Sequence, residues 1–416
     1  MPELYRLHGG IRHYDWGSRE LIPNFLGIPG NGRPHAELWM GSHRSLPSFL
    51  ELPAGRESLA ELIDRDGAFW LGREMAERRG DLPFLFKLLA AERPLSIQAH
   101  PNREQAAEGF ARENRDGPAP DDPKRNYRDA NHKPELLCAL DDFVGLCGFR
   151  EPAETKMLVG DFLAGKGASK PAPQALTSGL APLLAAIEGK GRGPVMRDFL
   201  SALFALSGET REALTDFLLG QDCREDGDSG NPDPAAPEWA MMKGFAGEFP
   251  GDRAVIAPLF LNAFRLRPGE AVAVGAGVLH AYVKGFALEL MANSDNVLRG
   301  GLTGKHVDPG ELLRVLDFGA AEPEILRPET GGSPFTYPSN FEEFSLSVIQ
   351  GDGGSREFSP ECPAICVVSE GRAEIGRETF LKGRGIYVRP GDSGPGKLDL
   401  RGSFTMYVAT AGKPGR

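Results

Sequence analysis

Over the first 150 residues, apolar positions fall in short runs broken by Gly, Pro and Asn: AELWMGSH at 36–43, PFLFKLLA at 83–90 and HKPELLCALDDFVGLCGF at 132–149. Short apolar runs bounded by turn residues predict strands, with a helix over SLAELIDRDGAFWLG at 58–72. From 151 to about 219 the period changes. MRDFLSALFALSGETREALTDFLLG places apolar residues three and four apart, and Ser207 with Glu209 marks the opening of a new helix. QDCREDGDSGNPDPAAP at 221–237 is polar and rich in Gly, Asp and Pro, and it reads as a surface loop.

Strand texture then returns. LFLNAFRLRPGEAVAVGAGVLHAYVKGFALEL at 259–290 reads as strand, Pro-Gly turn, strand, Gly-rich turn, strand. A second ladder follows in ECPAICVVSEGRAEIGRETFLKGRGIYVRPGDSG at 361–394, punctuated by Gly371, Gly376, Gly383, Gly385 and Gly391. RPGEAVAVGAGVLHAY lines up loosely with KGRGIYVRPGDSG, so the two blocks read as versions of one small double-stranded β-barrel. The second copy lacks a His at the matching place, which assigns any metal chemistry to the first. The predicted architecture is mainly β with a helical insert: one barrel from 1–150 and 246–315, a helical domain over 151–245, and a second barrel over 316–416.

One stretch interrupts the apolar pattern. PLSIQAHPN at 94–102 carries Gln98 and His100 two residues apart. In a strand Ser96, Gln98 and His100 share one face and Leu95, Ile97 and Ala99 the other. A face holding a hydroxyl, an amide and an imidazole is either a solvent face or a site.

Bulk numbers narrow the function classes. A chain of 416 residues exceeds a single core, and its 41% hydrophobic and 25% charged content is that of a soluble globular protein. The net charge of −11 argues against nucleic-acid binding, though an acidic protein can still hold a basic pocket for a phosphorylated substrate. Five cysteines (Cys138, Cys147, Cys223, Cys362 and Cys366) contain no CxxC pair and read as free thiols of a reducing compartment. The opening MPELYRLHGGIRHYDWGS does not read as a signal peptide, and no run of 18 apolar residues occurs, so a cytoplasmic location without a membrane partner is expected.

The candidate chemistry lies in three fragments: Gln98 and His100 in SIQAHPN, Glu135 in NHKPELL and His280 in GVLHAY. Two imidazoles, a carboxylate and an amide oxygen can hold a divalent ion such as zinc, and the neutral amide leaves the ion more Lewis-acid strength. The fragments lie far apart in sequence, and only a folded β face would bring them together. A single His is more often structural than a ligand. A further cluster, ELMANSDNVLRGGLTGKHVD at 289–308, holds Glu289, Asp295, Arg299 and Lys305. Gly300, Gly301 and Gly304 would let backbone approach a ligand, and Arg299 with Lys305 can meet a phosphate. The spacing is not that of a nucleotide P-loop. The bland alternative is a solvated, turn-rich loop. Trp16, Trp39 and Phe84 read as core.

These segments closely resemble those that mark the type I phosphomannose isomerases: PFLFKLLAAERPLSIQAHPN, NHKPELLCAL, AELWMGSH, GVLHAY and MANSDNVLRGGLTGKHVD. The resemblance spans roughly 5–150 and 255–318. It implies cupin barrels, one zinc ion per chain, and interconversion of mannose 6-phosphate and fructose 6-phosphate. By that resemblance Gln98, His100, Glu135 and His280 are the zinc ligands and Arg299 the catalytic arginine. Lys87, Lys133, His132, Glu289 and Asp295 line the pocket as further catalytic candidates, and Ser96 and Lys305 are substrate-binding. The 316–416 block becomes a cupin-like domain without a metal site. One departure is visible: Leu302-Thr303-Gly304-Lys305 stands where the family usually has a proline before the lysine. Moving a carbonyl from C1 to C2 passes through an enediolate and needs a positioned base. A lysine can be that base only if burial or neighbouring cations depress its pKa. The implied partner is a small sugar phosphate and the implied state a monomer or weak homo-oligomer. A cupin metal oxygenase and a non-catalytic sugar-phosphate-binding cupin are the competing readings.

Overall fold

The structure is a computed structural model that describes residues 3–189, 191–221, 236–328, 334–391 and 397–412. Most of the polar stretch 221–237, together with Cys223, lies outside the described residues. Eight strands carry the site: β1 (Glu37–Met40), β2 (Phe84–Ala91), β3 (Ile97–Ala99), β4 (Glu135–Ala139), β5 (Phe143–Phe149), β6 (Ala271–Val274), β7 (His280–Ala292) and β8 (Leu298–Gly301). They belong to one of two eleven-stranded sheets, and among the described residues every pairing is antiparallel. The order β6–β4–β7–β2–β1 forms one layer, while β3, β5 and β8 attach around the start of β7.

β7 serves both layers because it bends at Gly285, where φ is +138°. Its first residues pair with β3 and β5, and residues 285–292 pair with β2 and β4. A Cβ at 285 would sit 2.6 Å from the Asp142 carbonyl oxygen, so the bend requires glycine sterically as well as conformationally. The strand, Pro-Gly turn, strand, Gly turn, strand order expected from 259–290 is present as Leu261–Leu266, β6 and β7. The two expected closed barrels are not: the hydrogen-bonded path of each sheet is open, and opposite layers meet by packing across a bent strand.

The second sheet is built on strands Ser345–Asp352, Ala364–Ile375, Gly385–Arg389 and Ser403–Thr410. Strand Glu3–His8 joins it, with Glu3 opposite Arg389 and Leu7 opposite Gly385. An N-terminal strand thus crosses to the C-terminal block, a pairing no local pattern could announce.

The two sheets pack face to face through one buried cluster, in which Phe86, Leu88, Leu136, Leu288 and Leu290 meet Leu346, Ile365, Val367 and Tyr387. This explains why PFLFKLLA shows no alternation: both faces of β2 are buried, one against the second sheet and one inside the first. The helices Pro152–Leu163, Gln174–Ala186, Arg192–Phe204, Gly208–Leu219 and Ala236–Glu248 cover the outside of β3 and β8. Ser207 caps Gly208–Leu219 by accepting from the Thr210 amide, as the sequence suggests.

Face-sharing in PLSIQAHPN holds only in part. Ile97 and Ala99 face the helical core, but Leu95 precedes the strand and packs inside the first sheet with Phe143 and Tyr282. The four described cysteines are free, and burial raises every thiol, Cys138 and Cys147 to about 12 each.

Candidate metal centre

His100 follows β3, Glu135 opens β4 and His280 opens β7. The chain must leave the sheet immediately after His100, because Asn102 caps helix Arg103–Asp116 through a reciprocal box with Gln105. In the ladder His280 stands opposite Gln98, and Gln98 opposite Arg299. Ile97 and Ala99 point to the helical core, so alternation turns Gln98 toward the interior that holds His280.

His100, Glu135 and His280 are fully buried, and their ligating atoms lie within 4.8 Å of one another. His100 Nδ1 donates to the Asn296 carbonyl at 2.7 Å and His280 Nδ1 to the Val278 carbonyl at 2.9 Å. Those bonds fix the tautomers and leave both Nε2 lone pairs facing Glu135, at 3.2 and 3.4 Å. Neither Nε2 has a hydrogen-bond partner, and Glu135 Oε1 has none of proper geometry. The Lys133 ammonium is 2.8 Å from that oxygen but not aligned with it as a hydrogen bond. Tyr282 donates to Oε2 at 2.9 Å.

Buried polar atoms without partners are costly, and three of them converging on one point fit a cation. Protonation states suit ligation too. Burial and Lys133 push the His100 imidazole down to about 4, so it is neutral. Burial would raise the Glu135 carboxyl, but the Lys133 ammonium beside it holds it well below the usual range.

Beside this cluster Lys87 forms a buried pair with Glu289 at 2.7 Å and lies 3.5 Å from Glu37. Register explains the pair, since Lys87 and Glu289 stand opposite each other on β2 and β7. The Trp39 ring lies 5.3 Å from the ammonium, and its Nε1 donates to Glu37 at 2.8 Å. Trp39 is thus buried as expected, but it forms a wall of the site. Burial works against the Lys87 charge, yet the Glu289 and Glu37 carboxylates outweigh it and raise its pKa. The depression that a lysine base requires is absent at Lys87.

Arg299 and Lys305 form a cationic group with Arg128. Burial depresses the pKa of each of the first two, Arg128 lowers both further, and Arg299 lowers Lys305. Gly301 serves the packing of the protein, since a Cβ there would lie 2.3 Å from Ala254 Cβ, whereas a Cβ on Gly304 would meet open space.

His132 is not brought to the cluster. Its Nε2 meets Glu343 at 2.9 Å and lies 3.2 Å from Arg103. Asp295 is half exposed, 3.5 Å from His43, and Ser96 is half-buried beside Gln98. Sequence reasoning missed Arg128, Glu37, Tyr282 and Asn296. Tyr282 was findable, being two residues past His280 on the same strand face. Asn296 is fully buried; it accepts from the Arg128 amide at 2.7 Å and donates to the Asp129 and Asn131 carbonyls at 2.8 and 2.9 Å.

Fold and site together define a two-sheet β protein whose described residues hold one buried His₂Glu cluster able to bind a metal ion, flanked by a buried Lys–Glu pair and a group of three cations. Residues 4–152 match the family model described as phosphomannose isomerase type I, catalytic domain. The chain is 34% identical over 395 residues to mannose-6-phosphate isomerase of Escherichia coli, covering 94% of each, and 32% identical over 432 residues to mannose-6-phosphate isomerase 1 of Arabidopsis thaliana, covering 98% and 94%. A zinc-bound holo crystal structure of mannose 6-phosphate isomerase superimposes with a TM-score of 0.83 at 30% identity, over 98% of this chain and 99% of that one. The chain belongs to the type I phosphomannose isomerase family.

Proposed function

We propose that His100, Glu135 and His280, with Gln98 as fourth ligand, hold one zinc ion, and that the protein interconverts mannose 6-phosphate and fructose 6-phosphate. The observation that carries this is the pair of bare Nε2 atoms turned onto one buried carboxylate by carbonyl-anchored Nδ1 groups. Bound there, zinc supplies Lewis-acid polarisation of the sugar's carbonyl and hydroxyl oxygens. The chain's own groups do the rest. Arg299, Lys305 and Arg128 receive the phosphate, with Arg299 reaching toward the charge that develops on the sugar. A base takes the proton from C2 and returns it to C1 through the enediolate, while the proton of the O2 hydroxyl passes to O1. Of the four candidate bases, Lys87 pairs with Glu289 and Glu37 and His132 with Glu343, while Lys133 lies beside the metal ligand Glu135, so Lys133 and Glu289 are the first to test. Domain roles follow: 1–150 with 246–315 carries the chemistry, 151–245 covers its outer wall and 316–416 buttresses it.

Stripping the purified protein with a chelator is expected to abolish turnover of mannose 6-phosphate, and zinc to restore it. Full activity in verified metal-free protein would refute the proposal. Lys133→Met and Glu289→Gln, assayed separately for solvent exchange of the C2 hydrogen, identify the base: the variant that loses exchange carried the proton.

Arg128→Gln is expected to raise KM about tenfold or more while kcat changes little, since a charge-assisted hydrogen bond contributes about 1.5–3 kcal/mol. The KM should also become less sensitive to ionic strength. A lowered kcat at constant KM would remove Arg128 from phosphate binding.

A further inference from the structure

Glu343 belongs to the segment leading into strand Ser345–Asp352 of the second sheet, yet its side chain reaches the metal-bearing half of the molecule. That side chain is 7% exposed. Its Oε1 accepts from Arg103 at 2.7 Å and from His132 at 2.9 Å, and Oε2 has no partner. Burial would raise the Glu343 carboxyl, but the His132 contact holds it down to about 2. Glu342 lies 4.0 Å from the same Arg103 guanidinium, but it is half exposed and its attraction is screened by solvent.

The two donors occupy corresponding places. Arg103 opens the helix that begins three positions after His100, and His132 stands three positions before Glu135. Each therefore sits on the backbone segment that delivers one metal ligand, and a single oxygen ties both to the second sheet. The neighbouring backbone has its own ties within the first sheet, where the His100 carbonyl accepts from Gly277 at 2.8 Å, the Pro134 carbonyl from Ala292 at 3.2 Å and the Asn131 carbonyl from Asn296 and Ser294 at 2.9 and 3.1 Å; Glu343 adds a tie from the second sheet.

We propose that Glu343 is a positioning residue for the metal centre, a clasp from the second sheet that holds the His100 and Glu135 segments at the separation zinc ligation needs. This rests on the zinc-isomerase reading above. It also gives the C-terminal block a part in holding the metal centre. Glu343 acts through Arg103 and His132, whose side chains it holds.

The test is zinc affinity, measured by competition with a chromogenic chelator, on the full-length wild type and three variants. Loss of an outer support of a metal site typically costs about 10–100-fold in affinity. Glu343→Ala is expected to fall in that range, and Glu343→Gln, which keeps a carbonyl oxygen for the two donors, to lie between it and wild type. Tyr337→Phe is the control. It deletes the 2.6 Å bond from the Tyr337 hydroxyl to the Gly269 carbonyl, another tie between the C-terminal block and the first sheet, and should lower thermal stability without moving zinc affinity. Zinc affinity of Glu343→Ala within twofold of wild type would overturn the clasp and leave the isomerase reading intact. Tyr337→Phe weakening zinc equally would overturn it too, since general loosening would then suffice. A wild-type protein that binds no zinc would overturn both. If Glu343→Ala does not fold, Glu343→Gln decides: affinity equal to wild type in that variant overturns the proposal.

Discussion

Glu135→Gln is expected to yield a folded protein that keeps no zinc through dialysis and turns over mannose 6-phosphate at least about a thousandfold more slowly. The substitution is nearly isosteric, so the loss would be one of charge and not of volume. Glu135 is the one carboxylate of the His100–Glu135–His280 cluster, and both bare Nε2 atoms face it at 3.2 and 3.4 Å. With a neutral amide there, the site would bring no anion to a divalent ion. It would also leave the Lys133 ammonium, now 2.8 Å from Glu135 Oε1 and nearly buried, without its counter-charge. Removing one partner of such a pair costs about 3–5 kcal/mol, so a lower unfolding midpoint should accompany the metal loss. Metal content by elemental analysis separates the two effects. A variant that retains one equivalent of zinc with near-native turnover would remove Glu135 from the ligand set.

Much of this centre was legible because β structure writes its register into the sequence with a period of two. Gln98 and His100 stood out as polar residues on an otherwise apolar run, and GVLHAY after a Gly-rich turn marked the start of a strand. What could not be read was how distant strands pair. That Lys87 and Glu289 face each other follows from the β2–β7 register, set across about two hundred residues by the Gly285 bend. The crossing of Glu3–His8 into the far sheet is equally non-local.

The side chains whose surroundings the sequence could not show share a cause. His132 beside Lys133, and Lys87 within an apolar strand, both read as candidates for proton transfer. Their roles depend on carboxylates from elsewhere, Glu343 for one and Glu289 with Glu37 for the other. Conversely, Arg128 sits in a polar loop with no local signal. It becomes significant only because Asn296 pins that loop beside the chain that carries Arg299.

The second large effect concerns stability. Lys87→Met should cost about 3–5 kcal/mol, because it strands Glu289 and Glu37 in the interior without a cation. Their side chains are 4% and 8% exposed, so water cannot take over the missing charge. Glu289→Leu should cost less, since Lys87 keeps Glu37 at 3.5 Å, and Glu37 in turn keeps the Trp39 indole. The double variant Lys87→Met/Glu289→Leu should therefore unfold at a higher denaturant concentration than Lys87→Met alone. The two changes should fall short of additivity by about 1–3 kcal/mol, as coupled contacts do. Recovery of stability should not restore turnover, because the polar pair has been exchanged for packing. Strict additivity in the cycle would mean that Lys87 and Glu289 are not energetically paired, whatever their 2.7 Å separation. Recovered stability with recovered turnover would show instead that this pair is architecture and that the proton is handled by Lys133 alone.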